Sequence, residues 1–362
     1  MSACAACLRR SALLGRLVPW IERILDQRRK LPAVLALPDE DLIASTCGDQ
    51  RARIDRFIDS FDARRAAATA ERAGLATVCP HRGAYPSALR AQRDAPAALY
   101  LKGDTSLLEL LESERPVAIV GSRKASMYGR EVAFTLGREL AATGVPVVSG
   151  LAFGVDAEAH KGALAGCGPA VVVMPSGADV AYPRSHHDLH RRLCEQGLVV
   201  SELPPGTSPL KWCFPARNRI MAALAQMTVV VEGTTTSGSL ITAQFANDLG
   251  REVGAVPGQV TSRLAAGPNA LLADGACVVR SAADVLDALY GAGVRRVRAP
   301  DDRASLEPRL VHLLDAVEAG RGVDAIVRAG ARVGDVLAGL TELELLGLVR
   351  RGPGGAYVRS AG

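Results

Sequence analysis

Aromatic residues make up only 4% of this 362-residue chain. A surface that stacks many bases is therefore excluded, and any stacking must rest on one or two rings. No stretch approaches the ~18 uninterrupted apolar residues of a membrane-crossing helix. The early apolar run Ser11–Trp20 is short and broken by Arg16, and positive charge enters only at Arg9 and Arg10. That is not the order of a secretory signal. A cytoplasmic protein with no membrane partner is the expectation. Neither sign of charge dominates: the net charge of +5 permits a nucleic-acid partner without demanding one.

Other signatures are missing as well. Eight cysteines are scattered along the chain, several inside apolar segments, which favours reduced buried thiols over a disulfide framework. Cys4 and Cys7 form one CxxC, but no second pair stands at zinc-ribbon spacing, so no metal is assigned. The turn Gly233-Thr234-Thr235-Thr236-Ser237-Gly238-Ser239 has Walker A spacing, yet Ser239 stands where the phosphate-binding lysine belongs. No strand turn carries GxGxxG with an acidic residue at ribose distance. Nucleotide hydrolysis and dinucleotide redox chemistry lose their basis, and no cofactor is expected.

What is present is an alternation of apolar runs and helical patterns. Residues 1–75 read as amphipathic helices. Leu13, Leu14, Leu17, Val18 and Ile21 recur at helical spacing, and Arg51–Ala73 reads as one charged helix ended by Gly74. They form a small N-terminal helical domain. Residues 76–115 are a lead-in with a short strand over Ala97–Asp104 that ends in a turn. Apolar runs then follow at 117–120, 146–150, 169–174, 198–200, 227–231 and 252–256, with helical patterns between them. Buried strands alternating with helices predict a doubly wound α/β domain, which with the lead-in spans 76–290. Residues 291–304 read as a linker. The tail 305–362 offers helices at Leu306–Val317, Val323–Arg328 and Val333–Leu346, then two short strands about a glycine turn. That is the grammar of a winged-helix domain. Its third helix is acidic, so a protein-contact wing is expected rather than a DNA-reading one.

In an open α/β sheet, ligands sit beyond the carboxyl ends of the strands. The turns Gly121-Ser122-Arg123, Ser149-Gly150-Leu151-Ala152-Phe153-Gly154, Pro175-Ser176-Gly177 and Gly233–Ser239, with Ser237, Gly238 and Ser239, should line one rim. Arg123, Arg184, Lys211, Arg217 and Arg219 are the cations near it, Asn218 lies among them, and Phe214 and Trp212 are the adjacent rings. An electrostatic groove with one or two stacking rings suits single-stranded nucleic acid. Asp156 and His160, four apart on a helix, keep a second reading open: a Rossmann-like nucleotide-binding hydrolase. His186 and His190 share that spacing but lack a third ligand.

Motifs then accumulate in order. They are Gly121-Ser122-Arg123 with Tyr128-Gly129, Val148-Ser149-Gly150-Leu151-Ala152 with Gly154-Val155-Asp156, Tyr182-Pro183, Ser201-Glu202, Phe214-Pro215-Ala216-Arg217-Asn218-Arg219-Ile220, Ser237-Gly238-Ser239-Leu240-Ile241-Thr242-Ala243 and Val256-Pro257-Gly258. Over 116–280 the chain resembles the bacterial DNA-processing protein A family, also called DprA or Smf. The resemblance implies an extended Rossmann-like fold, no catalytic activity and no catalytic residues. It also implies single-stranded DNA binding, protection of incoming strands during natural transformation, and help in loading the RecA recombinase. Strand contacts would come from Arg123, Arg184 and the Lys211–Arg219 region. A homodimer would form near Gly267–Gly275, with Leu271 and Leu272 as apolar contacts. Two departures stand out: His186 aligns where the family has asparagine, and Gly233 where alanine is commoner.

Overall fold

Alternation of side chains between two faces organises the larger part of the molecule. The computed structural model describes residues 3–25, 31–297, 306–328, 330–346, 348–352 and 356–359. Residues 298–304 of the predicted linker and 353–355 of the C-terminal glycine turn lie outside these. The chain divides into two compact units, Met1–Arg298 and Ala299–Gly362.

The first unit begins with helices α1 (Ala5–Leu25), α2 (Leu31–Leu35), α3 (Asp39–Thr46), α4 (Arg51–Asp59) and α5 (Ala63–Arg72). The single helix predicted over Arg51–Ala73 is in fact two. Asp62 accepts from the amides of Arg64 (2.8 Å) and Arg65 (3.2 Å), an N-cap that starts α5 afresh. Gly74 follows α5 with φ of +71°, the left-handed turn that glycine adopts at least cost.

The strands are β1 (Ala76–Val78), β2 (Leu99–Gly103), β3 (Val117–Val120), β4 (Val147–Ser149), β5 (Ala170–Val173), β6 (Leu198–Ser201), β7 (Met227–Val230), β8 (Glu252–Ala255) and β9 (Cys277–Val278). The six runs read as strands are β3 to β8. All nine form one sheet, in the order β1-β2-β6-β5-β4-β3-β7-β8-β9. The β1–β2 and β2–β6 pairs are antiparallel and the others parallel. The lead-in is therefore an edge of the sheet, and β9 extends the other edge.

Covering helices are α6 (Ser87–Arg90), α7 (Leu107–Ser113), α8 (Met127–Ala142), α9 (Val155–Ala165), α10 (His187–Gln196), α11 (Cys213–Leu224), α12 (Gly238–Asp248), α13 (Ala266–Ala273) and α14 (Ala282–Tyr290). Side chains alternate across a strand, so β3 divides its four residues between two cores. Val117 and Ile119 pack with Leu136 and Leu140 of α8 and Val285 of α14. Ala118 and Val120 pack with Ile220 and Met221 of α11 and Ala243 of α12. Every residue of β3 to β7 is buried, as a parallel sheet covered on both faces requires. A third core joins Leu13, Leu17, Ile21 and Leu42 of the N-terminal helices to Leu203, Trp212 and Ala216.

The second unit holds α15 (Pro308–Glu318), α16 (Val323–Arg328), α17 (Val333–Leu345) and the antiparallel pair β10 (Val349–Arg351) and β11 (Tyr357–Arg359). Leu310, Leu314, Val336, Leu340 and Leu343 form its core. This is the expected winged-helix layout.

Candidate nucleic-acid interface

Chain order reverses between β3 and β7: later strands run to one side through β4, and to the other through β8. The crevice beyond the carboxyl ends of β3 and β7 is thus the switch point where such sheets bind ligands. A groove of about 540 Å³ lies there, lined by the turn after β3, the start of α11 and the turn before α12.

The turn after β3 is held from behind. The Ser122 amide donates to Glu232 O (2.7 Å), and the Glu232 carboxylate accepts from the Ser126 amide (2.8 Å) and hydroxyl (2.6 Å). Ser126 in turn caps α8 by accepting from the Gly129 amide at 3.1 Å. Buried Glu232 is thereby an anchor at a helix N-terminus, where negative charge is favoured. At Gly154, φ is +74°, and a Cβ would lie 2.3 Å from Ser122 O. Only glycine lets the β4–α9 turn approach the β3 turn so closely. Leu151, fully buried, holds φ of 58°, a left-handed conformation that costs a leucine of order 1–3 kcal/mol. Its carbonyl accepts a hydrogen bond from His186 Nδ1 at 3.0 Å.

On this frame the exposed groups gather. The Arg123 guanidinium carbon stands 4.7 Å from the centre of the Phe214 ring. The Tyr182 ring lies 5.6 Å from Phe214, and Phe153 packs edge-on against His186 at 4.7 Å. Arg123 is exposed and Phe214 half-buried, whereas Arg184, also exposed, opens the short 3-10 turn after Tyr182-Pro183 and is not part of the groove lining. Opposite them Ser237 caps α12, accepting from the Ser239 amide (3.4 Å), and its Oγ lies 2.8 Å from Ser239 Oγ. Amides and hydroxyls at a helix N-terminus, facing a guanidinium and a ring, make a cradle for phosphate and base. Sequence reasoning missed Lys124, exposed in this lining beside Arg123, and it placed Phe153 in a rim turn and Tyr182 in a motif without reading either ring as a stacking surface. The available signals are the adjacency of Lys124 to Arg123 and the ring in Tyr182-Pro183.

Several residues expected at the strand are elsewhere. Arg219 is buried, paired with Glu202 at 2.6 Å and Asp94 at 3.2 Å, and serves the packing of α11. Trp212 is buried with its Nε1 donating to Val18 O at 2.8 Å, so it offers no stacking face. The Ser149 hydroxyl donates to Ile119 O (2.6 Å) inside the sheet. Gly150 is covered by the Arg217 guanidinium, which a Cβ there would strike. Arg217 itself is 4% exposed and donates to Val173 O (2.9 Å) and Asn218 Oδ1 (3.1 Å). Burial lowers its pKa to about 10, against the pull of Asp156. It forms the charged floor of the groove rather than a free arm. Asn218, also nearly buried, donates to Gly238 O at 3.3 Å and ties α11 to α12. Lys211 is almost fully exposed, 4.0 Å from Glu22 of the N-terminal helices. Leu271 and Leu272 on α13 are half-buried.

The acid–base pair lacks the reach its chemistry needs. His160 is fully buried, and desolvation lowers its pKa to about 3, so it stays neutral. Asp156 lies on the groove floor, its carboxylate accepting from the Ala152 amide at 3.4 Å. Ring nitrogens of His186 and His190 are turned to the carbonyls of Leu151 and Ala178.

The DNA recombination-mediator protein A family profile matches residues 76–290, more than half of the chain. The chain belongs to the DNA-processing protein A family. The winged-helix domain of that family matches residues 295–355. Protein Smf of Escherichia coli is 38% identical over 284 residues, covering 76% of this chain and 75% of that one. The DNA processing protein DprA of Bacillus subtilis is 39% identical over 216 residues, 60% and 72% of the two chains. The solved structure of DprA from Streptococcus pneumoniae superposes with a TM-score of 0.63 at 31% identity, covering 80% of this chain and 99% of that one. That of Helicobacter pylori, reported for its single-stranded DNA binding mode, gives 0.54 at 30% identity, covering 59% and 95%. The family's extended Rossmann-like sheet and winged helix are thus both present. No helix among the described residues is long and apolar enough to cross a membrane.

Proposed function

We propose that this chain is a single-stranded DNA-binding recombination mediator whose groove at the β3/β7 switch point holds the strand. One observation carries the reading: an exposed arginine stacked on a half-buried phenylalanine, facing a capped helix N-terminus across the groove. The Helicobacter relative, described by its single-stranded DNA binding, supports it. Arg123, Arg184, Lys124 and the Ser237–Ser239 turn hold phosphates, and Phe214 and Tyr182 take bases. Buried Arg217 keeps the floor positive. The chain acts in the cytoplasm, without catalysis of its own, protecting incoming strands and helping a RecA-type recombinase to load during natural transformation. It works as a homodimer through α13, with domains divided near residues 75 and 290–305. The winged helix acts by protein contact. Its α17 is tied into ion pairs through Glu342 with Arg309 (2.8 Å) and Glu344 with Arg351 (3.6 Å).

A shift assay with matched single- and double-stranded oligonucleotides tests the groove. Single strands should bind tighter, and Arg123→Glu should weaken that binding at least tenfold. Equal affinity for both, or an unaffected variant, overturns the reading. Leu271 also packs against a core cluster, so Leu272→Asp is the cleaner test of the dimer. It should elute as a monomer with an unchanged melting temperature, whereas unchanged elution removes α13 as the interface. RecA loading is tested by filament assembly on strands coated with single-strand-binding protein, which this chain should accelerate.

A further inference from the structure

Cys4 precedes α1 and Cys7 lies in its first turn, while Cys79 and His81 sit in the tight turn after β1. That turn is closed by paired hydrogen bonds between Cys79 and Arg82, at 3.1 and 3.0 Å, with His81 at its tip. The fold brings these two segments, over seventy residues apart, onto one point. The three thiol sulfurs and a ring nitrogen of His81 all lie within 4.8 Å of one another. We propose that Cys4, Cys7, Cys79 and His81 form a structural zinc site that staples the N-terminal helices to the edge of the sheet.

The geometry matches the ion. Bond lengths of about 2.3 Å to sulfur and 2.0–2.1 Å to nitrogen put ligand atoms roughly 3.5–3.8 Å apart around a tetrahedral zinc. His81 Nδ1 is 3.6 Å from Cys4 Sγ and 3.3 Å from Cys7 Sγ. An outer shell is in place too. The Cys4 amide donates to Cys79 Sγ at 3.4 Å, which orients that sulfur, and the Ala3 amide donates to Thr77 Oγ1 at 3.0 Å, fixing one segment on the other. Three soft sulfurs and an imidazole select zinc over magnesium or calcium. A set of four protein ligands leaves no open position, which is the pattern of a structural centre. Cys7 and Cys79 are buried in the core that α1 shares with the sheet, and His81 closes the solvent side.

The sequence conceals this site because its second half is Cys-x-His rather than a second CxxC. It also stands apart from the strand-holding groove, since none of its residues lines that groove.

The test uses the full chain purified under reducing conditions without chelator. Elemental analysis should find one zinc per chain. Cobalt reloading should give sulfur-to-cobalt charge transfer and intense tetrahedral d–d absorption. Exposed His81→Ala and buried Cys79→Ser should each lower bound zinc at least fivefold, and Cys167→Ser, at an exposed cysteine outside the cluster, should leave it unchanged. Chelation of wild type should lower its melting temperature, and zinc should restore it. Absence of zinc, octahedral cobalt spectra, equal loading of His81→Ala, or a Cys4–Cys7 disulfide two mass units lighter under those conditions would each overturn the site. The cobalt spectrum is read on wild type, so a variant that fails to fold does not shelter the proposal.

Discussion

Replacing Phe214 by alanine, alone and together with Arg123→Ala, probes the groove most directly. Phe214 is half-buried beside Arg123, 4.7 Å from its centre, and Tyr182, 5.6 Å away. Stacking on an aromatic side chain contributes ~1–3 kcal/mol per base. Tyr182 remains to take part of that load, so Phe214→Ala should weaken binding at the low end, about 5–20-fold. Its dependence on salt should stay that of wild type, because a ring neutralises no phosphate. Arg123→Ala should do the opposite. Each phosphate left without its cation lowers the slope of log K against log salt by ~0.7 for a single strand. An exposed cation–π interaction is worth ~0.5–1 kcal/mol, so the double variant should depart from additivity by about that amount. Fluorescence anisotropy of a labelled oligothymidine across a potassium chloride series reads all three quantities. Affinity within twofold of wild type for Phe214→Ala, or an unchanged salt slope for Arg123→Ala, would refute the assignment of these two residues.

Arg219 should respond in the reverse manner, since it is buried between Glu202 and Asp94. Arg219→Met strands those carboxylates and should cost ~3–5 kcal/mol in urea unfolding while leaving the salt slope of folded protein unchanged; a stable variant with a lower slope would return Arg219 to the strand. His160 sets an acid limit. Its folded pKa of about 3 lies below the ordinary value of 6.5, so the unfolded chain binds the extra proton between those values. Its contribution is complete above pH 6.5 and falls as pH drops toward 3, by ~2 kcal/mol at pH 5. His160→Gln should flatten that part of the stability–pH curve, and an unchanged curve would reject the buried neutral imidazole. Glu232→Ala frees the Ser126 amide and hydroxyl and should lower stability by ~1–3 kcal/mol in thermal unfolding. A melting temperature equal to wild type would show that the anchor is dispensable.

Much of the architecture is legible in local pattern. The runs that form β3 to β8 are continuous and apolar because both faces of a parallel sheet are covered, and the turns that end them recur where ligands bind. The segment 51–73 looks like one helix because apolar periodicity runs on across Ser60–Asp62, where a capping carboxylate restarts the chain. The β9 edge escapes notice because two residues carry no period. Phe214 and Arg123 are recognisable as neighbours of the groove, but their stacking cannot be seen across ninety residues.

Local chemistry, then, determined the central strands β3 to β8, the helices between them, and where the rim of the sheet must lie, because burial imposes a period on neighbouring residues. Which charges face solvent was decided only by tertiary structure. Arg217 and Arg219 are two positions apart in one motif, yet one floors the groove beneath Gly150 and the other is locked to Glu202 and Asp94. The same holds for Cys4, Cys7, Cys79 and His81, which meet only when β1 pairs at the sheet edge and α1 packs across it. Burial of a charge or convergence of thiols depends on partners distant in the chain, and no local pattern encodes them.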